Sequence, residues 1–232
     1  MVHHRSMTLI ELLVVILITA ILLALILASL NHARARAIQI HCFNNLKQVA
    51  TASIAYNTDY FKYPAFVNQR PYSDYLSGRT STLSYLNDEL LRCPGIVHWR
   101  GKPYNSLRVY GIFEPIATES IDAALDIRAG RFWEHKRNGA AEDLIFHFER
   151  AKNPSGISLW RDCIMTGTTE KPHWKYHRTI SANYGAKLAH LQRSAGAYID
   201  GHVESKKLRE LNEEPMKIEA AFNVSGEIEE IQ

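Results

Sequence analysis

The chain has 232 residues, 46% hydrophobic and 22% charged, the make-up of a folding chain, which excludes bulk disorder and a many-spanning membrane protein. At about 150 residues per domain, this is one substantial domain with an appendage. The formal charge of +3 is too small to make nucleic acid the main partner. Three cysteines, Cys42, Cys93 and Cys163, without a CxxC pair, exclude a disulfide-dense miniprotein and the common zinc-ribbon spacings.

The apolar residues are concentrated at the start. Leu12 to Leu30 reads LLVVILITAILLALILASL, with only Thr19 and Ser29 polar, and about 20 such residues span a bilayer. A cleaved secretory signal has a shorter apolar region, about 7 to 15 residues. Glu11 sits at the head of this run, where an ionisable group costs about 2.5 to 3.5 kcal/mol if it reaches the helix centre. The fourteen Leu, Ile and Val residues from 12 to 30 contribute roughly −6 kcal/mol on the insertion scale, so the segment still inserts. Composition leaves two roles for Glu11: a flank at headgroup level, or a carboxylate with a cationic partner in the membrane.

Arg5-Ser6-Met7-Thr8-Leu9-Ile10-Glu11-Leu12-Leu13 resembles the class III signal of type IV prepilins and type II secretion pseudopilins. The resemblance implies a short cytoplasmic leader, removed between Ser6 and Met7 by a prepilin peptidase that also N-methylates the new terminus. It places the family's membrane glutamate on Glu11, where it would pair with the terminal amine of a neighbouring subunit. Such a pair is favoured in low dielectric, and a carboxylate without its partner is penalised by desolvation. The sequence departs from the family at Ser6, usually glycine, and at Met7, usually phenylalanine. Where pilins often carry proline stands Ala28, and no Pro or Gly occurs from residue 1 to 63, so an unkinked helix is expected.

Beyond Leu30 the helical period continues through Ile38, Cys42, Leu46, Val49, Ser53, Tyr56 and Tyr60, with Arg36, Asn44, Lys47 and Asn57 on other faces. A helix from Thr8 to Asp59 would be roughly 75 Å long, half in lipid and half packed on a head. Pro64 marks its end. Residues 61–105 read as surface connection around a short helix, Leu83 to Leu91. Leu107 to Phe113 and Ile157 to Met165 read as strands, and Ile121 to Ile127 as a short helix. Ala195 to Ile199 and His202 to Ser205 read as a hairpin, with Asp200-Gly201 supplying a two-residue type I′ turn. The acidic tail after Glu213 is expected to be an exposed strand or frayed.

His190 stands nine residues before Asp200-Gly201. This spacing, with Cys42-Phe-Asn-Asn-Leu-Lys-Gln48, Cys93-Pro94 and Asp200-Gly-His-Val-Glu204, resembles the H-X9-DG prepilin-like proteins common in planctomycete, verrucomicrobial and lentisphaeral bacteria. The resemblance gives that signature no biochemical role. From the residues alone, Asp200-Gly201 is explained by the turn, and His190 by a bond to a nearby backbone carbonyl or by peptidase recognition. His173 and His177 are four apart, but the Trp, Lys and Tyr between them argue against a helix, and no zinc spacing supports a metal site. Asp200 and Glu204 are weak candidates for calcium. Cys42 and Cys93 are a candidate disulfide in an oxidising compartment, with three buried free thiols the alternative. Lys206, Lys207 and Arg209 are followed at once by Glu210, Glu213 and Glu214, a solvated mixed face. No nucleophile elbow or phosphate loop points to catalysis.

The expected fold is therefore α+β and pilin-like: a leader (1–6), a transmembrane and filament-core helix (7–30), its amphipathic extension (31–60) and an antiparallel β-sheet head (61–232). The expected role is a non-enzymatic filament subunit without cofactor or metal. Its partners would be the prepilin peptidase, other pilin subunits, the inner-membrane assembly platform and the bilayer. It would cross the bacterial inner membrane once, leader cytoplasmic and head periplasmic. The alternative is an envelope anchor whose head binds a ligand or metal without polymerising.

Overall fold

A computed structural model of the chain describes residues 8–80, 83–96, 109–115, 125–138, 141–166, 171–180 and 183–231. The first element is a single helix, α1, Leu9–Tyr60, in a stretch free of glycine and proline and rich in good helix formers. The chain divides into two compact units, one ending at Ala37 and the other starting at Ile38. In the first unit, every Leu, Ile and Val from Leu9 to Leu30 is 47–84% exposed. A helix apolar on all faces with none of them buried is long and apolar enough to cross a membrane.

In the second unit, the rest of α1 buries one stripe. Cys42, Leu46, Val49 and Ser53 are fully buried and Tyr56 nearly so, whereas Asn44 and Lys47 face solvent. Tyr60, expected to close the stripe, is exposed. The helix ends in tyrosines: Tyr56 packs 5.3 Å from Tyr85 and edge-on to Tyr63 at 6.0 Å, and Ser53 Oγ donates to the Tyr63 hydroxyl at 3.0 Å. Phe61, with φ 54°, turns the chain into Pro64, which cannot continue a helix.

The strands are β1 (Tyr63–Val67), β2 (Arg70–Pro71), β3 (Gly111–Phe113), β4 (Trp133–Asn138), β5 (Ala141–Phe146), β6 (Ser158–Arg161), β7 (Cys163–Met165), β8 (Lys171–Pro172), β9 (Lys175–Tyr176), β10 (Tyr184–Ala186), β11 (Ser194–Tyr198), β12 (Val203–Lys206), β13 (Ala220–Phe222) and β14 (Ile228–Glu230). They form sheets in the orders β2-β1-β5-β4, β12-β11-β6-β3-β9, β10-β7-β8 and β13-β14. All pairings are antiparallel except β3 with β9. Tyr63, Phe148 and Trp160 join the first two sheets through ring contacts of 5.3–5.9 Å. The architecture is α+β and pilin-like, a long amino-terminal helix followed by antiparallel-rich sheets.

Several local expectations are corrected. Residues 61–96 are not surface connection: β1 lies inside its sheet, and Tyr63, Ala65, Tyr72, Leu76 and Leu91 are fully buried. Tyr63 and Tyr72, which looked loop-like, belong to the core, and Tyr75 and Tyr85 pack partly buried against it. The helix expected at Leu83 to Leu91 shrinks to a 3-10 turn, Asp88–Leu91, capped by the Asn87 side chain. The strand expected from Ile157 to Met165 breaks at Asp162, where β6 leaves the β11 edge and β7 joins β10. Leu107, Arg108 and most of Ile121 to Ile127 lie outside the described residues. The tail ends in an exposed strand, β14, as expected, but it is not frayed: β14 pairs with β13, and Met216, Ile218 and Ala221 are fully buried.

The hairpin is present but its turn differs. Ala197 pairs with Val203, the Gly201 N–H donates to the Tyr198 carbonyl at 2.9 Å, and the Tyr198 N–H donates to the His202 carbonyl at 3.0 Å. Only Gly201 has positive φ, at +87°. This is a three-residue loop over Ile199, Asp200 and Gly201, and it spares Asp200 the left-handed backbone that a type I′ turn imposes.

Under the hairpin lies a buried charge network. Arg161 and Glu214 are 0% and 5% exposed, with Arg161 Nη2 3.7 Å from Glu214 Oε2. Ser158 Oγ and Lys206 Nζ donate to the same carboxylate at 2.8 and 3.0 Å, joined by the Tyr198 hydroxyl. Glu214→Ala leaves Arg161 buried without its counter-charge and should lower unfolding stability by about 3–5 kcal/mol. Urea melts of wild type and variant check this, and equal midpoints would contradict it.

Candidate functional site

Ser6 and Met7 lie outside the described residues. Glu11 is described, at the helix start. Its carboxylate accepts the Thr8 backbone N–H at 2.8 Å and the Thr8 hydroxyl at 2.9 Å, while Thr8 Oγ1 accepts the Glu11 N–H at 3.3 Å. This is a reciprocal capping box, in which residue and helix end satisfy each other. The Thr-x-x-Glu spacing carries the signal in the sequence, but the apolar run beside it drew attention to the membrane instead.

The second arrangement is buried in the head. Cys42 comes from α1, Cys93 from the loop after the 3-10 turn, Asp162 from the break between β6 and β7, and His190 from the turn before β11. Asp162 can occupy that break because its backbone bridges two sheets: its N–H donates to Ala195, and its carbonyl accepts Lys187. His190 and Arg193 close a tight turn through two backbone bonds of 3.0 Å, with Leu191 and Gln192 at φ 53° and 59°. That geometry aims the His190 ring inward.

One ligand atom from each of Cys42, Cys93, Asp162 and His190 lies within 4.8 Å of every other, and all four residues are at most 6% exposed. Cys42 Sγ donates to Asp162 Oδ1 at 3.4 Å, Cys93 Sγ is 3.3 Å from His190 Nε2, and His190 Nε2 is 3.4 Å from Asp162 Oδ2. Further donors face the cluster: Gly95 N–H to Cys93 Sγ at 3.3 Å, Tyr110 hydroxyl to Cys42 Sγ at 3.3 Å, and Ala195 N–H to Asp162 Oδ2 at 3.1 Å. A Cβ on Gly95 would sit 2.8 Å from His190 Cε1, so only glycine lets the loop approach the ring this closely. Burial pushes the Cys42 thiol well up. Burial opposes charge on His190, but Asp162 and Cys93 outweigh it and raise its pKa to about 9.

The sequence singled out three of these four residues, but in separate connections. His190 meets a thiol and a carboxylate rather than a backbone carbonyl. Cys42 and Cys93 are adjacent and, like Cys163, free thiols. Asp162 was missed. The available signal was Arg161-Asp162, two charges in the middle of an otherwise apolar strand.

The other candidates are placed elsewhere. Asp200 Oδ1 accepts the His202 N–H at 3.1 Å and lies 2.6 Å from His202 Nδ1. The Gly201 carbonyl accepts Lys47 Nζ at 2.7 Å, fixing the hairpin tip to α1. Glu204 faces Lys206 at 3.2 Å. The His173 ring packs tilted against Tyr184, 4.4 Å away. His177 donates through Nδ1 to the Glu114 carbonyl at 2.9 Å, and its Nε2 is 3.0 Å from Glu114 Oε2. Among the described residues, the four-residue cluster is the group of three or more such side chains able to hold an ion.

A family model described as the prokaryotic N-terminal methylation motif matches residues 1–27. The amino-terminal segment is that of a type IV prepilin-like protein. The matched span covers the capping box and most of the apolar run, and it contains Ser6, Met7 and Glu11. No curated protein and no solved structure matches the chain.

Glu114 provides a pH test of the head. Burial raises its pKa, but bonds from His177 and Lys175 outweigh burial and hold it below the ordinary 4.5. A depressed carboxylate contributes stability above pH 4.5 that is lost as pH falls through its folded value. Glu114→Gln should therefore flatten the acid limb of the melting-temperature profile below pH 4.5. An unchanged profile would contradict this.

Proposed function

We propose that the protein is a structural subunit of a type IV pilus-like or type II secretion pseudopilus filament, matured by a prepilin peptidase that cuts between Ser6 and Met7 and methylates Met7. The observation that carries this reading is the methylation motif on residues 1–27, which from Leu9 onward is a helix whose apolar side chains face outward all round. Such a helix needs lipid before assembly and neighbouring helices after it. In this reading the leader is cytoplasmic, the head periplasmic, and the assembly platform lifts the helix from the bilayer. Glu11 then exchanges the Thr8 contacts for the Met7 amine of an adjacent subunit, which sets the stagger between helices.

The capping box favours a second reading. Because Glu11 is satisfied within its own helix, the protein could be an envelope anchor that never polymerises, with Glu11 a helix cap. Glutamine also completes a capping box but carries no charge, so Glu11→Gln and Glu11→Ala separate the readings. Filaments sheared from cells and measured by immunoblot should fall by more than about tenfold for both variants if the charge pair drives assembly. Wild-type filament yield with Glu11→Gln would reject the charge pair, and absence of multimers in the wild type would favour the anchor.

A further inference from the structure

We infer that Cys42, Cys93, Asp162 and His190 form a closed tetrahedral site for a zinc-class divalent ion that fastens α1 to the head. This is independent of whether the protein polymerises. The sequence argued against a metal because it offered no local ligand spacing. The four donors instead come from four distant segments, and only the fold brings them together.

The distances are close to those of a ligand shell. With zinc–sulfur bonds of about 2.3 Å and zinc–nitrogen or –oxygen bonds of about 2.0–2.2 Å, ligand atoms in a tetrahedron lie roughly 3.3–3.8 Å apart. Cys93 Sγ to His190 Nε2 and His190 Nε2 to Asp162 Oδ2, at 3.3 and 3.4 Å, fall in that range, Cys42 Sγ lies 3.4 Å from the other carboxylate oxygen, Asp162 Oδ1, and the four ligand atoms lie within 4.8 Å of one another. Two thiolates, an imidazole and one carboxylate are the donor set of zinc rather than of calcium or magnesium, which take oxygen. Four protein ligands leave no open position, which is the mark of a structural ion.

The surroundings match the charge such a site carries. Two thiolates and a carboxylate exceed a divalent cation by one negative charge, and the donors from Gly95, Tyr110 and Ala195 all point at sulfur or carboxylate atoms. These contacts orient ligands and stabilise thiolates. A Cys42–Cys93 disulfide would use the two sulfurs and leave Asp162 and His190, 0% and 3% exposed, with no role in the cross-link. An ion employs all four. Loading displaces thiol protons to solvent, with no change in oxidation state. The buried position implies that the ion enters as the head folds.

The test is metal analysis of the full chain, solubilised in detergent from envelope membranes, with cobalt exchange and non-reducing peptide mapping. The expected result is about one zinc per chain, unchanged in Cys163→Ser and reduced more than about tenfold in Cys42→Ser and His190→Ala. Cobalt in place of zinc should give the intense visible bands of a tetrahedral ion and a thiolate charge-transfer band. Chelation should lower the melting temperature by roughly 10 °C or more, with recovery on adding zinc. If the variants do not fold, the wild-type cobalt spectrum still decides. A metal-free chain with a Cys42–Cys93 disulfide, a metal-free chain with three free thiols, or a cobalt form lacking the thiolate band would each overturn the site.

Discussion

A helix apolar on every face cannot remain in water, and this constraint governs the protein. From Leu9 to Leu30 the large side chains have no burial of their own, so their stability must come from lipid or from other helices. After Ile38 the same helix becomes one-sided, and its buried stripe is the surface on which the head is built. The two parts of α1 thus have different solvents. Glu11 sits where the apolar part begins, and the capping box gives its carboxylate two hydrogen bonds within its own helix.

The head answers a different problem, that of burying charged groups. Two buried charges stand next to each other in sequence. Arg161 faces the Glu214 carboxylate, which also accepts Ser158 and Lys206, and its Nη1 donates to the Ser194 carbonyl, while its Nε and Nη2 make no hydrogen bond among the described residues. Asp162, the next residue, points to the cluster with Cys42, Cys93 and His190. The alternation of a strand sends adjacent side chains to opposite faces, so one dipeptide supplies charges to two separate interiors. The strand breaks there because Asp162 uses its backbone to bind both β11 and the segment leading from β10.

Much of this was legible in the sequence because it follows from local rules. The length of α1, its buried stripe and its end before Pro64 follow from a 3.6-residue period and proline chemistry, and the hairpin follows from Asp200-Gly201. The turn type was misread because Asp-Gly suits both two-residue and three-residue loops, and only the pairing of Ala197 with Val203 separates them. The segment 61–96 was misread because tyrosines common in loops here fill the core between α1 and β1. The cluster was invisible as a unit, since Cys42, Cys93, Asp162 and His190 are joined only by long-range packing. The Thr8–Glu11 box was visible but overlooked beside the stronger apolar signal.

In the proposed reading the apolar helix belongs to a processed prepilin rather than to a retained or secretory signal. The most direct measurement is the mature amino terminus, by intact mass and peptide sequencing, of the full chain made in a host with a prepilin peptidase, with Ser6→Gly alongside. Processing between Ser6 and Met7 gives a chain beginning at N-methylated Met7 in both. A chain that keeps Met1 in both, or one cut near Ala33 to Ala37, would contradict it.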